Sequence, residues 1–483
     1  MAAERLDLIW GVAFGAGALA QLLAHWTGLP SVVLLLAVGL LVGQGGLGLV
    51  DPQALGHGLE PVVGLLVSMV LFDGGLGLRL SGPTSLRTLT TLRLVWVRWP
   101  LGLLGGAAAA HGLVGLSWPL AWVFGAIALA TGPTVVTPLV RQMRLDADLA
   151  GVLEAEGLIL EPVGAVLALL LLQVALGELG GWRDLAALLL MRLLGGVLIG
   201  ALTGLLLVAL LERLAPAGAT GPAVTLEPAV TLGPAEHEAG SDLAGEAAAP
   251  APQTLMLADP PAAAGAGPGA AADAPQPSPA ASMSGEDLGL ALQLTLGLLF
   301  LMFSGCEALL PESGLPAAVS AGLVLGLRGG PAARSLDIPI RQLAMLAITV
   351  LFPLLAADLG WSDLARLGWG GLACVLVLPV IRWLVVQIAG LGLTPLDWRR
   401  KLILSWIAPR GIVTAAVASL FALQLDQAGQ PGGAALKGLV FLTILFTVSV
   451  QGFTAPWLAR WLGLVEGPSE LGPDNPEAVV SAR

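Results

Sequence analysis

The chain has 483 residues, 56% of them hydrophobic and only 11% charged, with a formal net charge of −11. A soluble domain carries about 25% charged residues, so this composition excludes a water-soluble protein and fits a chain that lies mostly in lipid. The acidic balance argues against nucleic acid as a partner, and Cys306 and Cys374, both in apolar runs, form neither a disulfide framework nor a metal pattern.

Thirteen apolar stretches are long enough to span a bilayer. They lie at roughly 7–25, 30–49, 61–78, 93–115, 118–140, 149–177, 185–211, 287–310, 314–328, 339–358, 366–392, 400–425 and 434–464. The expected fold is therefore all-α and polytopic. Tyr is absent, so the interfacial aromatic role falls to 14 Trp. Four segments follow: a membrane domain over 1–213, a linker over 214–286, a second membrane domain over 287–464 and a polar tail over 465–483. The linker is rich in Ala, Pro, Gly and acids, and no Lys or Arg occurs between Arg213 and Arg328. Such a stretch buries too little apolar area to order itself, which predicts disorder. With thirteen crossings, 15 of the 22 Lys and Arg fall on one side. That side is the cytoplasm by the positive-inside rule. The N-terminus is then outside, and the linker and C-terminus are cytoplasmic. The expected location is the cell inner (plasma) membrane.

Between Thr131 and Glu161 the apolar pattern is interrupted twice. Thr131-Gly132-Pro133-Thr134 breaks the fifth stretch, and a break at membrane depth is tolerated only where it faces protein or a water-filled cavity. It frees carbonyls and exposes helix ends, which suit ions. The plainer alternative is an ordinary proline kink. Ala408-Pro409 is a similar break in the twelfth stretch, and paired breaks hint at an inverted repeat.

The sixth stretch carries Glu161 near its middle, followed by Pro162, which removes one backbone donor and loosens the turn behind it. A carboxylate there can hold a proton or a small cation but not both; the alternative is a structural acid. Glu156 lies five residues earlier, about 140° round the helix, and cannot share Glu161's face. It is expected to pair with a buried base as a stabilising or gating pair. Arg410, in the middle of the twelfth stretch, is the favoured partner; Arg382 is expected to snorkel toward an interface. Glu154, seven residues before Glu161, shares its face and is a candidate funnel residue. Asp73 is either a third site carboxylate or an interface acid. Glu307 and Glu312 are expected to be solvated. No P-loop, H-E-x-x-H or G-x-S-x-G occurs, so neither an enzyme nor a cofactor is expected.

The stretches LFDGGLGLRL, LSWPLAWVFGAIALATGPTVVTPLVR, EGLILEPVGAVLA, WIAPRGIVTAAVASLFAL and VQGFTAPWLARWLGL together resemble the monovalent cation–proton antiporters, in particular bacterial sodium/proton exchangers of the NhaP type. The resemblance implies an inverted-repeat fold with a six-helix core from stretches 4–6 and 11–13, two crossed unwound helices, and a homodimer. It places the ion-binding carboxylate on Glu161, the unwound-helix threonine on Thr131, the third-stretch acid on Asp73 and the buried Glu–Arg pair on Glu156 and Arg410. Three positions depart from the family pattern. Glu161 stands where Asp is usual, Gly132 where many members have Asp, and Gly157 where some have a ligating Ser. Leu160 stands where electrogenic members have Asn, which favours one-for-one, electroneutral exchange. The implied function is exchange of Na⁺ (or K⁺ or Li⁺) for H⁺ by alternating access, with a K⁺/H⁺ antiporter or channel-like cation efflux protein as the rival.

Overall fold

Glycines and prolines punctuate the helices from the first turn onward. The computed structural model describes residues 2–52, 54, 59–78, 85–214, 285–393 and 396–465. The expected linker 214–286 and tail 465–483 lie, but for Leu214, 285–286 and Val465, outside the described residues. Helix α1 (Ala2–Thr27) stops at Gly28, whose φ of 69° suits glycine, and Pro30 opens α2 (Ser31–Val42). Helix α3 (Leu59–Leu78) follows. Helix α4 (Ser85–Ala109) runs into a π-helical turn, Ala110–Val114, that ends at Gly115 with φ 78°.

The fifth apolar stretch is split, as the Gly-Pro pair predicts. Helix α5 (Trp118–Leu129) ends, three residues are extended or irregular, and α6 (Pro133–Met143) begins on the proline. Proline at a first helical position loses nothing, because its missing N–H has no intrahelical partner there. Helix α7 (Ala147–Ala175) is capped by Asp146, whose carboxylate accepts the Leu149 N–H at 3.2 Å, and it passes through Pro162 without stopping.

Helices α8 (Trp182–Leu214), α9 (Gly285–Leu309), α10 (Gly314–Arg328) and α11 (Gly330–Ala357) come next. Helix α12 (Trp361–Ala389) is kinked at Gly368. The twelfth stretch repeats the split of the fifth: α13 (Trp398–Trp406), a five-residue break, then α14 (Ile412–Gln427). Helix α15 (Gly433–Phe446) continues through a π turn, Thr447–Gln451, into α16 (Gly452–Leu462).

Among the described residues the fold is helical, with no strand beyond one isolated bridge between Leu145 and Val465. Eight helices are long and apolar enough to cross a membrane. Each of the thirteen apolar stretches contains helix, although α2 stops at Val42 and leaves the rest of the 30–49 stretch as turns and irregular backbone. Helix α4 is long but carries Arg87, Arg93 and Arg98, and the broken pairs α5/α6 and α13/α14 are too short singly.

Two groups of helices are visible in the packing. Helices α1, α2, α3 and α8 to α11 pack chiefly among themselves, and α4 to α7 pack with α12 to α16. In the first group, small residues bring backbones into contact, as expected where lipid gives no hydrophobic drive between helices. Gly196, Gly200 and Gly204 of α8 lie on the backbone carbonyls of Ser313, Ala317 and Ala321 of α10. A Cβ on Gly200 would fall 2.1 Å from the Ala317 oxygen. Gly200→Leu is therefore expected to lower the melting temperature of the purified protein, with a cost on the order of 1–3 kcal/mol or more. Gly297→Ala, in open space on α9, should leave it unchanged or slightly raised.

Candidate functional site

The two breaks meet. The Gly132 N–H donates to the Pro409 carbonyl at 3.1 Å, and the Arg410 guanidinium reaches back to donate to the Ala130 carbonyl at 2.8 Å. Each interruption thus supplies the hydrogen bonds that the other lost. The π turn of the last stretch completes the second break. Gln451 Oε1 accepts the Ala408 N–H and Thr447 Oγ1 accepts the Arg410 N–H, both at 3.2 Å. Thr447 and Gln451 are each 2% exposed.

Helix α7 lies against this crossing. Gly164, three residues after Glu161 and on the same side of the helix, packs so closely on Ala130 that a Cβ would fall 3.0 Å from the Ala130 Cβ. Glu161 is 0% exposed, and neither carboxyl oxygen has a hydrogen-bond partner among the described residues. The Thr131 hydroxyl, at the first break, is also buried and unpartnered. Unsatisfied buried polar groups are few in native proteins, and each calls for an explanation. Here a carboxyl and a hydroxyl with free lone pairs sit at the crossing of two unwound helices. That donor set is all oxygen, which suits a hard monovalent cation or a proton.

Glu156 is bonded on all sides. Arg98 of α4 donates to its Oε1 at 2.9 Å, and Arg382 of α12 forks onto both oxygens, the Oε2 contact at 2.7 Å. All three side chains are at least 95% buried. The cluster ties together α4, α7 and α12.

On one end of the molecule a cavity of about 360 Å³ opens between α1, α3, α11 and α6. Gln21, Asp73, Thr137, Arg141, Arg341 and Ile348 are among its walls. Glu154 lies beside Thr137 and Arg141. Leu158, three residues before Glu161, packs on Gly74 next to Asp73. The cavity wall and the Glu161 face of α7 are therefore a single turn apart.

A family model for the transmembrane sodium/hydrogen exchanger matches residues 12–233 and 282–461. The chain belongs to this family. A Na(+)/H(+) antiporter of Aphanothece halophytica, ApNhaP, is 27% identical over 175 residues, 36% of this chain and 32% of that protein. Na(+)/H(+) antiporter 1 of Methanocaldococcus jannaschii is 27% identical over 207 residues, 42% of this chain and 46% of that protein. The aligned stretches thus span less than half of either relative. The solved structure of the sodium proton antiporter MjNhaP1 from M. jannaschii at pH 8 superposes with a TM-score of 0.71 at 21% identity, covering 97% of this chain and 100% of that one. The shared fold is that of an exchanger, a multi-pass membrane protein.

Set on this exchanger fold, the residues singled out in the sequence separate into those that meet and those that do not. The breaks at Gly132-Pro133 and at Pro409 meet, and the Pro162-bearing helix carries Glu161 to them. Asp73 lines the cavity. The expected Glu156–Arg410 pair is not formed. Glu156 takes Arg98 and Arg382 instead, and the Arg410 guanidinium goes to a backbone carbonyl. The helical angle correctly turned Glu156 away from Glu161, but an angle on one helix cannot say which neighbour faces it. Arg382 does not snorkel: it is 5% exposed. Glu307 is half-buried and accepts the Glu312 and Gly314 N–H groups. Arg98, Thr447 and Gln451 went unrecognised as core residues. Arg98 had a usable signal, a lone base inside LVWVRWPLG.

Arg382→Met removes the bidentate partner of a buried carboxylate, which costs about 3–5 kcal/mol. Arg410→Met removes one hydrogen bond to a carbonyl, about 1–3 kcal/mol. Thermal unfolding in detergent should rank Arg382→Met well below Arg410→Met; the reverse order would return Glu156 to Arg410.

Proposed function

We propose that this protein is a secondary antiporter that exchanges Na⁺ for H⁺ one for one by alternating access, with Glu161 as the group that both ions occupy. The observation that carries the reading is the Glu161 carboxyl, wholly buried, with both oxygens unpartnered, beside two crossed helix breaks. A charged side chain at membrane depth is costly and is retained where it lies on an ion or proton path. Protonation or a bound cation each neutralise it, and only one fits at a time. The Thr131 hydroxyl and freed carbonyls of the first break would complete the cation's shell, with water. Family membership and the names of the relatives agree with Na⁺ as the cation.

In this reading Glu156 and Glu161 divide the labour. Glu156, held by two guanidinium groups, keeps its charge and fixes α4, α7 and α12 in register. Glu161, to which no described base is bonded, is free to change partner. Asp73 and Glu154 line the approach rather than the site. Thirteen crossings in the cell inner membrane, the N-terminus outside, the C-terminus cytoplasmic and a homodimer complete the proposal.

Glu161→Gln keeps the size of the side chain and removes its charge. In proteoliposomes it should abolish sodium-driven proton movement while leaving the melting temperature near that of the unchanged protein. Persistent exchange would remove Glu161 from the mechanism. Glu161→Asp, one methylene shorter, should retain exchange with an altered cation preference.

Competition at one group has a second consequence. Lowering the pH should raise the half-saturating Na⁺ concentration, by up to about tenfold per pH unit, as expected when protons occupy the cation's site. Clamping the membrane potential should leave the rate unchanged if the exchange is one for one. A half-saturation independent of pH would point to separate sites for the two ions.

A further inference from the structure

The cavity beside Asp73 opens at one end of the molecule. The other end of the same interface is shut by charge. Asp358 closes the C-terminus of α11, where an anion is opposed by the helix dipole. It is held there by Lys437, from the start of α15, whose Nζ lies 2.6 Å from Oδ2. Ser419 of α14 donates to the same oxygen at 2.9 Å. The two charged side chains are 8% and 12% exposed.

The partners come from different helix groups. Helix α11 packs with α1, α2 and α3, whereas α14 and α15 pack with α7 and α12. At the cavity end the groups share a neutral hydrogen bond from exposed Gln142 of α6 to the Gly28 carbonyl at 3.0 Å, while Asp73 and Arg341 of the first group face Arg141 and Glu154 of the second without a direct ion pair among the described residues. So the interface is polar at both ends. Among the described residues, the direct ion pair between the groups lies at the closed end.

A buried ion pair contributes little net stability compared with apolar packing, because both charges must shed water. What it offers is reversibility. Once parted, an ammonium and a carboxylate are well solvated, whereas two parted apolar surfaces are not. We propose that Asp358, Lys437 and Ser419 form the closure between the two helix groups at the end opposite the cavity, and that this closure opens each time the site faces that end. The proposal rests on the alternating-access reading above and names the residues that hold one of its two states.

The test removes the charges and keeps the hydrogen-bonding shapes. Asp358→Asn with Lys437→Gln leaves Glu161 and its surroundings untouched. In vesicles of known orientation, the double variant should still exchange ions. Its half-saturating Na⁺ concentration at the end opposite the cavity should fall about three- to tenfold and rise at the cavity end, because apparent affinity scales with the fraction of molecules facing each side. Exchanging the two residues, Asp358→Lys with Lys437→Asp, should return both values toward those of the unchanged protein. Equal changes at both ends, or none, overturn the proposal.

A second readout needs no transport. Amide hydrogen exchange in the double variant should speed up at the ends of α11, α14 and α15 near Asp358. It should slow around the cavity in α1, α3 and α6. Faster exchange at both ends would mark the pair as merely structural and overturn the closure. If the unchanged protein moved no ions, the antiport reading would fall while this readout still decided the closure.

Discussion

Inside a bilayer no water is at hand to satisfy a broken backbone, and each unpaired N–H or C=O costs several kcal/mol. The arrangement of this protein follows from how it meets that constraint at two places at once. The break after Ala130 and the break before Gly411 lie nearly 280 residues apart in sequence, yet each takes a donor from the other. Thr447 and Gln451 supply what remains, from a π turn whose own irregularity turns those side chains inward. Neither half can hold its unwound helix open alone. The crossing is therefore a joint product of both halves.

Against that satisfied background the orphans stand out. Glu161 and Thr131 are buried with unused lone pairs, while Glu156, five residues from Glu161 on the same helix, has every oxygen engaged. Two carboxylates in nearly the same environment are thus separated by their partners alone. One is fixed by two arginines and serves the frame. The other has no described hydrogen-bond partner, and in the proposed reading a mobile ion supplies what the protein does not. A base beside Glu161 would stabilise its anion and compete with the very ions it is proposed to carry.

The helix groups differ in how they are joined within and between. Within the first group, glycines press α8 onto α10 at backbone contact, a packing that resists sliding. Between the groups the described polar links include an exposed hydrogen bond at the cavity end and a buried ion pair at the other. Rigid bodies joined by reversible polar contacts are what a hinge or shear motion requires. The wall of the cavity lies one turn of α7 from Glu161.

Much of this was legible in the residues. Hydropathy located the helical stretches because lipid admits little else, and Gly132-Pro133 and Pro409 marked the breaks because proline cannot donate and glycine does not resist. Glu161 was conspicuous because acids in such runs are rare. Pairing was not legible. The order of residues along α7 determines that Glu156 points away from Glu161. It says nothing of which arginine, on α4, α12 or the second break, stands opposite. Three arginines of equal charge are separated only by the packing itself, which carries Arg410 to the Ala130 carbonyl and leaves Arg98 and Arg382 for the carboxylate. Local chemistry and period belong to the chain. The choice among distant, chemically equivalent partners belongs to helix packing, because it depends on angles between helices that no single stretch encodes.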